Sequence, residues 1–208
     1  CIENIKKLKF LKREEFEKSI NFKLNKKNLL VTFHPVTLET NTAKKQFKEI
    51  LYSLKLLKNT NIIFTKTNSD TNGKIINNMI NDYVCRNSKN SIAFSSLGRL
   101  RYLSALKYVD AVIGNSSSGI IEAPSFKLAT INIGDRQNGR VKASSIIDCL
   151  PKKEDITKAL KKIYTKDFIK KLRSVNNPHD NGLQSKKIIK IIKKTQLQNI
   201  LKKNFYNL

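Results

Sequence analysis

Short apolar runs alternate with amphipathic segments about every 25 residues, and this alternation constrains the fold most strongly. The runs Asn28–Phe33, Asn61–Thr65, Ser91–Ser95 and Val109–Gly114 are each too short for a helix, and polar residues follow them. Helical patterns with one apolar face separate the runs. The pattern predicts an α/β fold with a Rossmann-like, doubly wound parallel sheet and right-handed crossovers.

The stretch from Val109 to Arg140 reads as strand, polar turn, helix, strand and second turn. A helix that begins in the Gly114–Gly119 turn would direct backbone N–H groups at an anion. Glu122 falls in its first turns, and Arg136 follows the next strand. This combination of groups suits a nucleotide sugar. The amides would donate to the diphosphate, the carboxylate would accept from the ribose hydroxyls, and the guanidinium would balance the phosphate charge. Plain helix capping by serine explains the turn equally well.

His34 directly follows the first apolar run, and a polar cluster at residues 66–74 follows the second. In open α/β sheets, ligands bind at the carboxyl ends of the strands, which is where both would lie. His34 and His179 are the only histidines, so we expect no imidazole-based metal site. A turn histidine bonded only to local backbone is the alternative for His34.

The net charge of +25, from 41 basic and 16 acidic residues, invites a nucleic-acid interpretation. The middle of the chain, where the candidate site lies, is its least basic part, because residues 90–150 carry seven basic and four acidic side chains. Only seven of the 41 basic residues are arginine, and tryptophan is absent. Sequence-specific nucleic-acid binding relies on arginine and aromatic side chains, so we expect no nucleic-acid partner.

Three widely spaced cysteines, Cys1, Cys85 and Cys149, indicate neither a disulfide framework nor a metal site. We expect reduced, mostly buried thiols. No apolar run approaches the roughly 18 residues of a membrane span, which predicts a cytoplasmic protein with no membrane partner. Because the first residue is Cys1 rather than Met, we expect a piece of a longer protein.

Two boundaries follow from the pattern. Residues 1–26 read as a lead-in with a short helix, more linker than core, and residues 27–208 as the Rossmann-like domain with C-terminal helices. The last segment, from Gly182 to about Gln198, reads as a basic helix whose isoleucine stripe we expect to pack against a neighbouring domain, with binding at a membrane surface as the alternative.

Five motifs in order carry a family resemblance: HPVTLE from His34, TNSDTNG from Thr67, SLGRLRYLSAL from Ser96, GNSSSGIIEAPSF from Gly114 and INIGDRQNGR from Ile131. With them, residues 27 to 195 resemble the C-terminal half of the UDP-N-acetylglucosamine 2-epimerases. The hydrolysing enzymes of sialic acid synthesis are the most similar kind.

The resemblance implies the C-terminal half of a GT-B-type enzyme, in which UDP lies between two Rossmann-type domains. Its partners would be a UDP-sugar substrate, the enzyme's own N-terminal domain and further copies in a homo-oligomer, and it needs no cofactor. The implied roles are: His34, Ser116, Ser117 and Arg136 at the phosphates, Asn68 along the nucleotide, Ser96 and Leu97 at the uracil edge, and Glu122 at the ribose.

The implied reaction eliminates UDP from UDP-N-acetylglucosamine to give a glycal, which adds water to become N-acetylmannosamine. Its acid and base carboxylates would lie in the N-terminal domain, so we expect this chain alone to be inactive, with His34 as an auxiliary group. UDP-diacetamido sugars of legionaminic-type pathways are an alternative substrate. A non-catalytic basic module for polyanions is an alternative outside this enzyme class.

The sequence departs from the family pattern at two turns. Thr67 stands where the family often has proline, and Lys127-Leu128-Ala129 replaces a segment that often ends in proline. We expect these changes to loosen both turns without removing a ligand group.

Overall fold

The computed structural model describes residues 2–36, 42–67, 71–180, 182 and 184–196 of the 208-residue chain. Asn68 and the second half of the HPVTLE motif lie outside these ranges. The predicted role of Asn68 therefore stays a prediction.

Within the described ranges, six parallel strands form one sheet. The strands are β1 (Lys27–Thr32), β2 (Thr60–Thr65), β3 (Ser91–Phe94), β4 (Ala111–Gly114), β5 (Ala129–Ile133) and β6 (Ile146–Cys149). They are ordered β3-β2-β1-β4-β5-β6, so the direction of winding reverses between β1 and β4. This reversal is the switch point of a doubly wound sheet, and the predicted fold class is confirmed.

Helices connect the strands and flank the sheet. They are α1 (Ile2–Lys6), α2 (Arg13–Ile20), α3 (Thr42–Lys55), α4 (Thr71–Arg86), α5 (Gly98–Ala105), α6 (Ser117–Ile121), α7 (Lys153–Lys162), α8 (Lys166–Arg173) and α9 (Gln184–Lys194). A 3-10 helix at Ala123–Phe126 joins α6 to β5. The strand boundaries lie within about two residues of those expected from the apolar runs, as is usual for sequence patterns.

Two hydrophobic cores cover the two faces of the sheet. Successive residues of β1 alternate between them: Leu29 and Val31 join the core formed with α3, α4 and α7, and Leu30 joins the core formed with α1, α2 and α5. Because both faces are covered, β1, β2 and β4 each contain three consecutive apolar residues rather than an alternation of apolar and polar ones. Burial of this apolar surface is the main favourable contribution to folding.

The N-terminal segment belongs to the second core, so the expectation that residues 1–26 are more linker than core is wrong. Phe16 of α2 is fully buried and stacks on Tyr108 with 5.9 Å between ring centroids. The Tyr108 hydroxyl in turn donates to the Leu11 carbonyl at 2.7 Å. The segment therefore packs on the α5 side of the sheet and shields it from solvent.

Two side-chain groups that the sequence analysis considered are exposed at the surface. Cys85 is an exposed free thiol, so the expectation of mostly buried cysteines is wrong there, whereas Cys149 is half-buried. On α9, the predicted apolar stripe of Ile188, Ile189, Ile191 and Ile192 is at least 50% exposed. No helix in the described part of the chain combines the length and apolar character that crossing a membrane requires.

Candidate nucleotide site

The candidate site lies at the switch point between β1 and β4. His34 follows β1 by two residues, and Asn115 directly follows β4. Parallel strands end at one edge of the sheet, and the crevice where the winding reverses is where ligands of such folds bind. The fold therefore brings the predicted residues of both strand exits to one place.

Asn115 joins the two strand exits and is 1% exposed. Its side-chain oxygen accepts from the His34 backbone N–H at 2.7 Å, and its side-chain nitrogen donates to the His34 carbonyl at 2.8 Å. This paired exchange fixes the backbone from which the His34 side chain projects. Sequence reasoning did not single out Asn115, and only its place after a buried strand could have indicated it.

The turn after β5 is attached to the same residue. Arg136 donates from its guanidinium to the Asn115 carbonyl at 3.0 Å, and the buried Gln137 donates to that carbonyl at 2.8 Å. Arg136 itself is exposed. The guanidinium predicted to bind phosphate thus lies beside the residue that precedes the serine turn, with surface left for an anion.

The His34 ring contacts the exit of β2. Its Nδ1 lies 2.8 Å from the hydroxyl of Thr67, which is 7% exposed. The Thr67 backbone is itself held by Asn77, whose side chain accepts from Thr67 N–H and donates to Thr67 C=O, both at 3.1 Å. Both backbone groups of Thr67 are therefore hydrogen-bonded, and the expectation that threonine loosens this turn stays a prediction.

Glu122 is the residue that directly follows α6. The sequence pattern suggested a longer helix with Glu122 in its first turns. Ser118 donates a hydrogen bond to one of its carboxylate oxygens. The buried hydroxyl of Tyr102 is a neighbour of both but makes no hydrogen bond with another described residue. Burial raises the pKa of Tyr102 to about 12, and the nearby Glu122 carboxylate acts in the same direction.

An open cleft of about 390 Å³ connects these groups. It is lined by Thr32, His34, Thr65, Lys66, Ser95, Ser96, Leu97, Gly98, Arg99, Tyr102, Leu103 and Glu122. Of the predicted site residues, it brings together His34, Ser96, Leu97 and Glu122. Ser116, Ser117 and Arg136 lie outside its lining, at the adjoining exits of β4 and β5. Among the described lining residues, Lys66 and Arg99 contribute two cations and Glu122 one carboxylate, which favours an anionic ligand.

The helix after β4 is shorter than the anion-binding helix that the sequence indicated. It covers only Ser117–Ile121, and two of its first N–H groups are already used: Ser118 N–H bonds to the Ser116 hydroxyl and Gly119 N–H to the Ser116 carbonyl. Ser116 is thus a helix cap, as in the plainer interpretation. A helix dipole this short contributes little, so the side chains carry most of any anion binding.

The predicted base-contacting loop is held by its own bonds. The Ser96 hydroxyl accepts from Gly98 N–H at 3.0 Å, and the Leu97 carbonyl accepts from Arg101 at 2.8 Å. Leu97 is buried. These contacts fix the loop at the floor of the cleft, and the uracil-binding role of its backbone stays a prediction.

No cluster of three or more His, Cys, Asp or Glu side chains that could hold a metal occurs among the residues that the structure describes. The polar groups of the site are instead donors, one carboxylate and hydroxyls. Groups of these types form hydrogen bonds with phosphate and ribose oxygens in proteins.

A family model described as UDP-N-acetylglucosamine 2-epimerase matches residues 2–193, nearly the whole chain. The chain belongs to the UDP-N-acetylglucosamine 2-epimerase family. The family resemblance of the five motifs is thereby confirmed.

Curated relatives are hydrolysing epimerases and a related biosynthetic protein. The chain is 44% identical over 205 residues to the GDP/UDP-N,N'-diacetylbacillosamine 2-epimerase (hydrolyzing) of Campylobacter jejuni, covering 98% of the chain and 53% of that protein. It is 39% identical to polysialic acid biosynthesis protein P7 of Escherichia coli, covering 89% of the chain and 47% of that protein. The chain spans about half the length of the curated relatives it matches.

Among solved structures, the fold resembles the UDP-GlcNAc 2-epimerase from Neisseria meningitidis bound to UDP-GlcNAc. The TM-score is 0.64 at 18% identity, over 88% of this chain and 48% of that one. At this identity the likeness concerns the fold alone. It agrees with the Rossmann-like arrangement found for this member of the epimerase family.

Proposed function

We propose that this chain is the nucleotide-binding part of a hydrolysing UDP-sugar 2-epimerase and that it holds the UDP leaving group. The observation that carries the proposal is the switch-point cleft, where His34 and Glu122 line one cavity. Arg136 lies at the adjoining strand exit, bonded to the same asparagine that holds His34. Family membership supplies the ligand class that this arrangement fits.

Each group has a distinct task in the proposed complex. Glu122 accepts hydrogen bonds from the ribose hydroxyls, and Arg136 balances the diphosphate charge. Ser116 and Ser117 offer hydroxyls at the same strand exit, and Asn68 and the Ser96–Leu97 backbone contact the nucleoside. His34 donates to the leaving diphosphate, which stabilises the negative charge that develops as the bond to the sugar breaks.

Titration calorimetry with UDP tests this assignment. Replacing Arg136 or Glu122 with alanine should weaken UDP binding at least tenfold, because hydrogen bonds to charged groups contribute about 1.5–3 kcal/mol each. Arg86→Ala and Glu154→Ala are matched controls, since both side chains are exposed and lie neither in the cleft lining nor in the turns after β4 and β5. Equal UDP affinity in the site variants and the controls would refute the site.

The sugar is a second question. The sequence resemblance favoured UDP-N-acetylglucosamine and the sialic acid pathway, and the Escherichia coli relative named for polysialic acid biosynthesis supports this choice. The Campylobacter jejuni relative, at 44% identity, supports a UDP-diacetamido sugar instead. Titrating UDP and both sugar nucleotides separates the cases: a tenfold preference for one sugar would show that this chain takes part in sugar selection.

A polyanion-binding module is the alternative outside the enzyme class, and the net charge of +25 supports it. DNA binding that weakens with salt but persists in excess UDP would favour this module over a nucleotide site. DNA binding that UDP displaces would place both anions in the same cleft and would be compatible with the nucleotide site.

A further inference from the structure

Thr67 contacts the ring of His34 from a position that the sequence marks only as a departure from the family pattern. Its hydroxyl oxygen lies 2.8 Å from His34 Nδ1. The threonine is 7% exposed, and its backbone N–H and C=O are both bonded to the side chain of Asn77. The hydroxyl is therefore held at the ring by a buried and doubly anchored backbone.

The burial of this hydroxyl decides which atom donates. A buried hydroxyl must place its proton on an acceptor, because an unpaired buried donor is costly. Among the described residues, His34 Nδ1 is the acceptor within hydrogen-bonding distance of it. A Thr67 hydroxyl that donates to Nδ1 requires a neutral ring with no proton on that nitrogen.

We propose that Thr67 is a positioning residue that fixes neutral His34 in the tautomer protonated on Nε2. A neutral imidazole has one donor and one acceptor nitrogen, and the bond made by one nitrogen sets the state of the other. When Nδ1 is the acceptor, the proton of the neutral ring lies on Nε2, and Nε2 is the hydrogen-bond donor. The consequence for function rests on the proposed UDP site. There, neutral His34 can donate a hydrogen bond from Nε2 to a diphosphate oxygen, and the ring does not have to be protonated to imidazolium first.

Two substitutions separate this role from simple packing. Thr67→Val keeps the shape and removes the hydroxyl, whereas Thr67→Ser keeps the hydroxyl and removes the methyl group. The Asn77 contacts involve only the backbone of residue 67, so both variants retain them. A packing role would be disturbed by serine at least as much as by valine, and a tautomer role only by valine.

Nitrogen-detected NMR of the chain labelled with ¹⁵N-histidine reads the tautomer directly. The spectra are recorded at about pH 8, above the ordinary histidine pKa of about 6.5, and His179→Gln identifies the signal of His34. We expect His34 to be protonated on Nε2 in the wild type and in Thr67→Ser, and to become a mixture of tautomers in Thr67→Val. A wild-type ring protonated on Nδ1, or an unchanged tautomer in Thr67→Val, would overturn the proposal.

The same samples titrated with UDP keep the two proposals separate. A tautomer change in Thr67→Val in a chain that shows no UDP binding supports the role of Thr67 and refutes the proposed function. If UDP binds, we expect Thr67→Val to bind it several-fold more weakly than Thr67→Ser. Equal UDP affinity in Thr67→Val and Thr67→Ser would show that the tautomer of His34 does not affect UDP binding.

Discussion

Asn115 and His34 exchange two hydrogen bonds across the switch point of the sheet, at 2.7 and 2.8 Å. This exchange joins the exit of β1 to the exit of β4 in the same way that a strand pair is joined, but through a side chain. The asparagine carbonyl also accepts bonds from Arg136 and Gln137. One buried residue therefore sets the relative positions of the histidine, the serine turn and the arginine.

Replacing Asn115 with alanine should lower the free energy of unfolding by about 1–3 kcal/mol, because it removes two hydrogen bonds made in a buried position. UDP affinity should fall with it, since His34 loses its backbone support. Urea unfolding and calorimetry measure the two effects. Asn176→Ala is the matched control on an exposed asparagine. If both alanine variants unfold at the same urea concentration, Asn115 does not organise the site.

Gly114 of β4 pairs with Thr32 of β1 at the site. It has a φ of 128°, and a Cβ placed there would lie 1.9 Å from the Thr32 carbonyl oxygen. Gly114→Ala should therefore destabilise the fold by more than about 4 kcal/mol, or prevent folding, because two backbones would have to separate.

Gly98 supplies the control for that substitution. Its φ is 65°, but a Cβ there would meet nothing within 4 Å. Gly98→Ala should thus cost only the strain of a left-handed backbone, about 1 kcal/mol. Urea unfolding compares the two variants directly. Similar losses in both would show that the contact with Thr32 relaxes easily.

The strand pattern was predictable because a parallel sheet covered on both faces requires apolar runs of strand length, and few other structures produce them. The packing of the N-terminal segment was not predictable, because Phe16 and Ile20 lie among charged residues in the sequence. Their burial depends on a surface formed by α5 and Tyr108. A short helix that packs on another element carries no distinctive sequence pattern of its own.

The residues of the candidate site were also predictable only in part. His34, Glu122 and Arg136 could be singled out because strand exits and charged residue types are visible in a sequence. Thr67, Asn115 and Tyr102 could not, because their roles depend on contacts between segments 33 to 81 residues apart or on the burial of one hydroxyl. The length of α6 was overestimated, because nothing in the sequence indicated that this helix ends after five residues.

The pH dependence of stability offers a test of the buried Tyr102 hydroxyl. Burial raises its pKa from 10.0 to about 12 in the folded chain. Because the folded pKa exceeds the unfolded one, the unfolded chain releases this proton first as the pH rises, and stability present below about pH 10 is lost between about pH 10 and 12. Tyr102→Phe should therefore lose less stability over this interval than the wild type does.

Urea unfolding at neutral pH and near pH 11 measures the effect, with Tyr52→Phe as the control at an exposed tyrosine. At neutral pH Tyr102→Phe should be close to the wild type in stability, because the hydroxyl makes no hydrogen bond with another described residue. A loss above about 1 kcal/mol at neutral pH would instead show that the hydroxyl is hydrogen-bonded in solution. Identical alkaline losses in wild type, Tyr102→Phe and Tyr52→Phe would show that the Tyr102 hydroxyl titrates as it does in the unfolded chain.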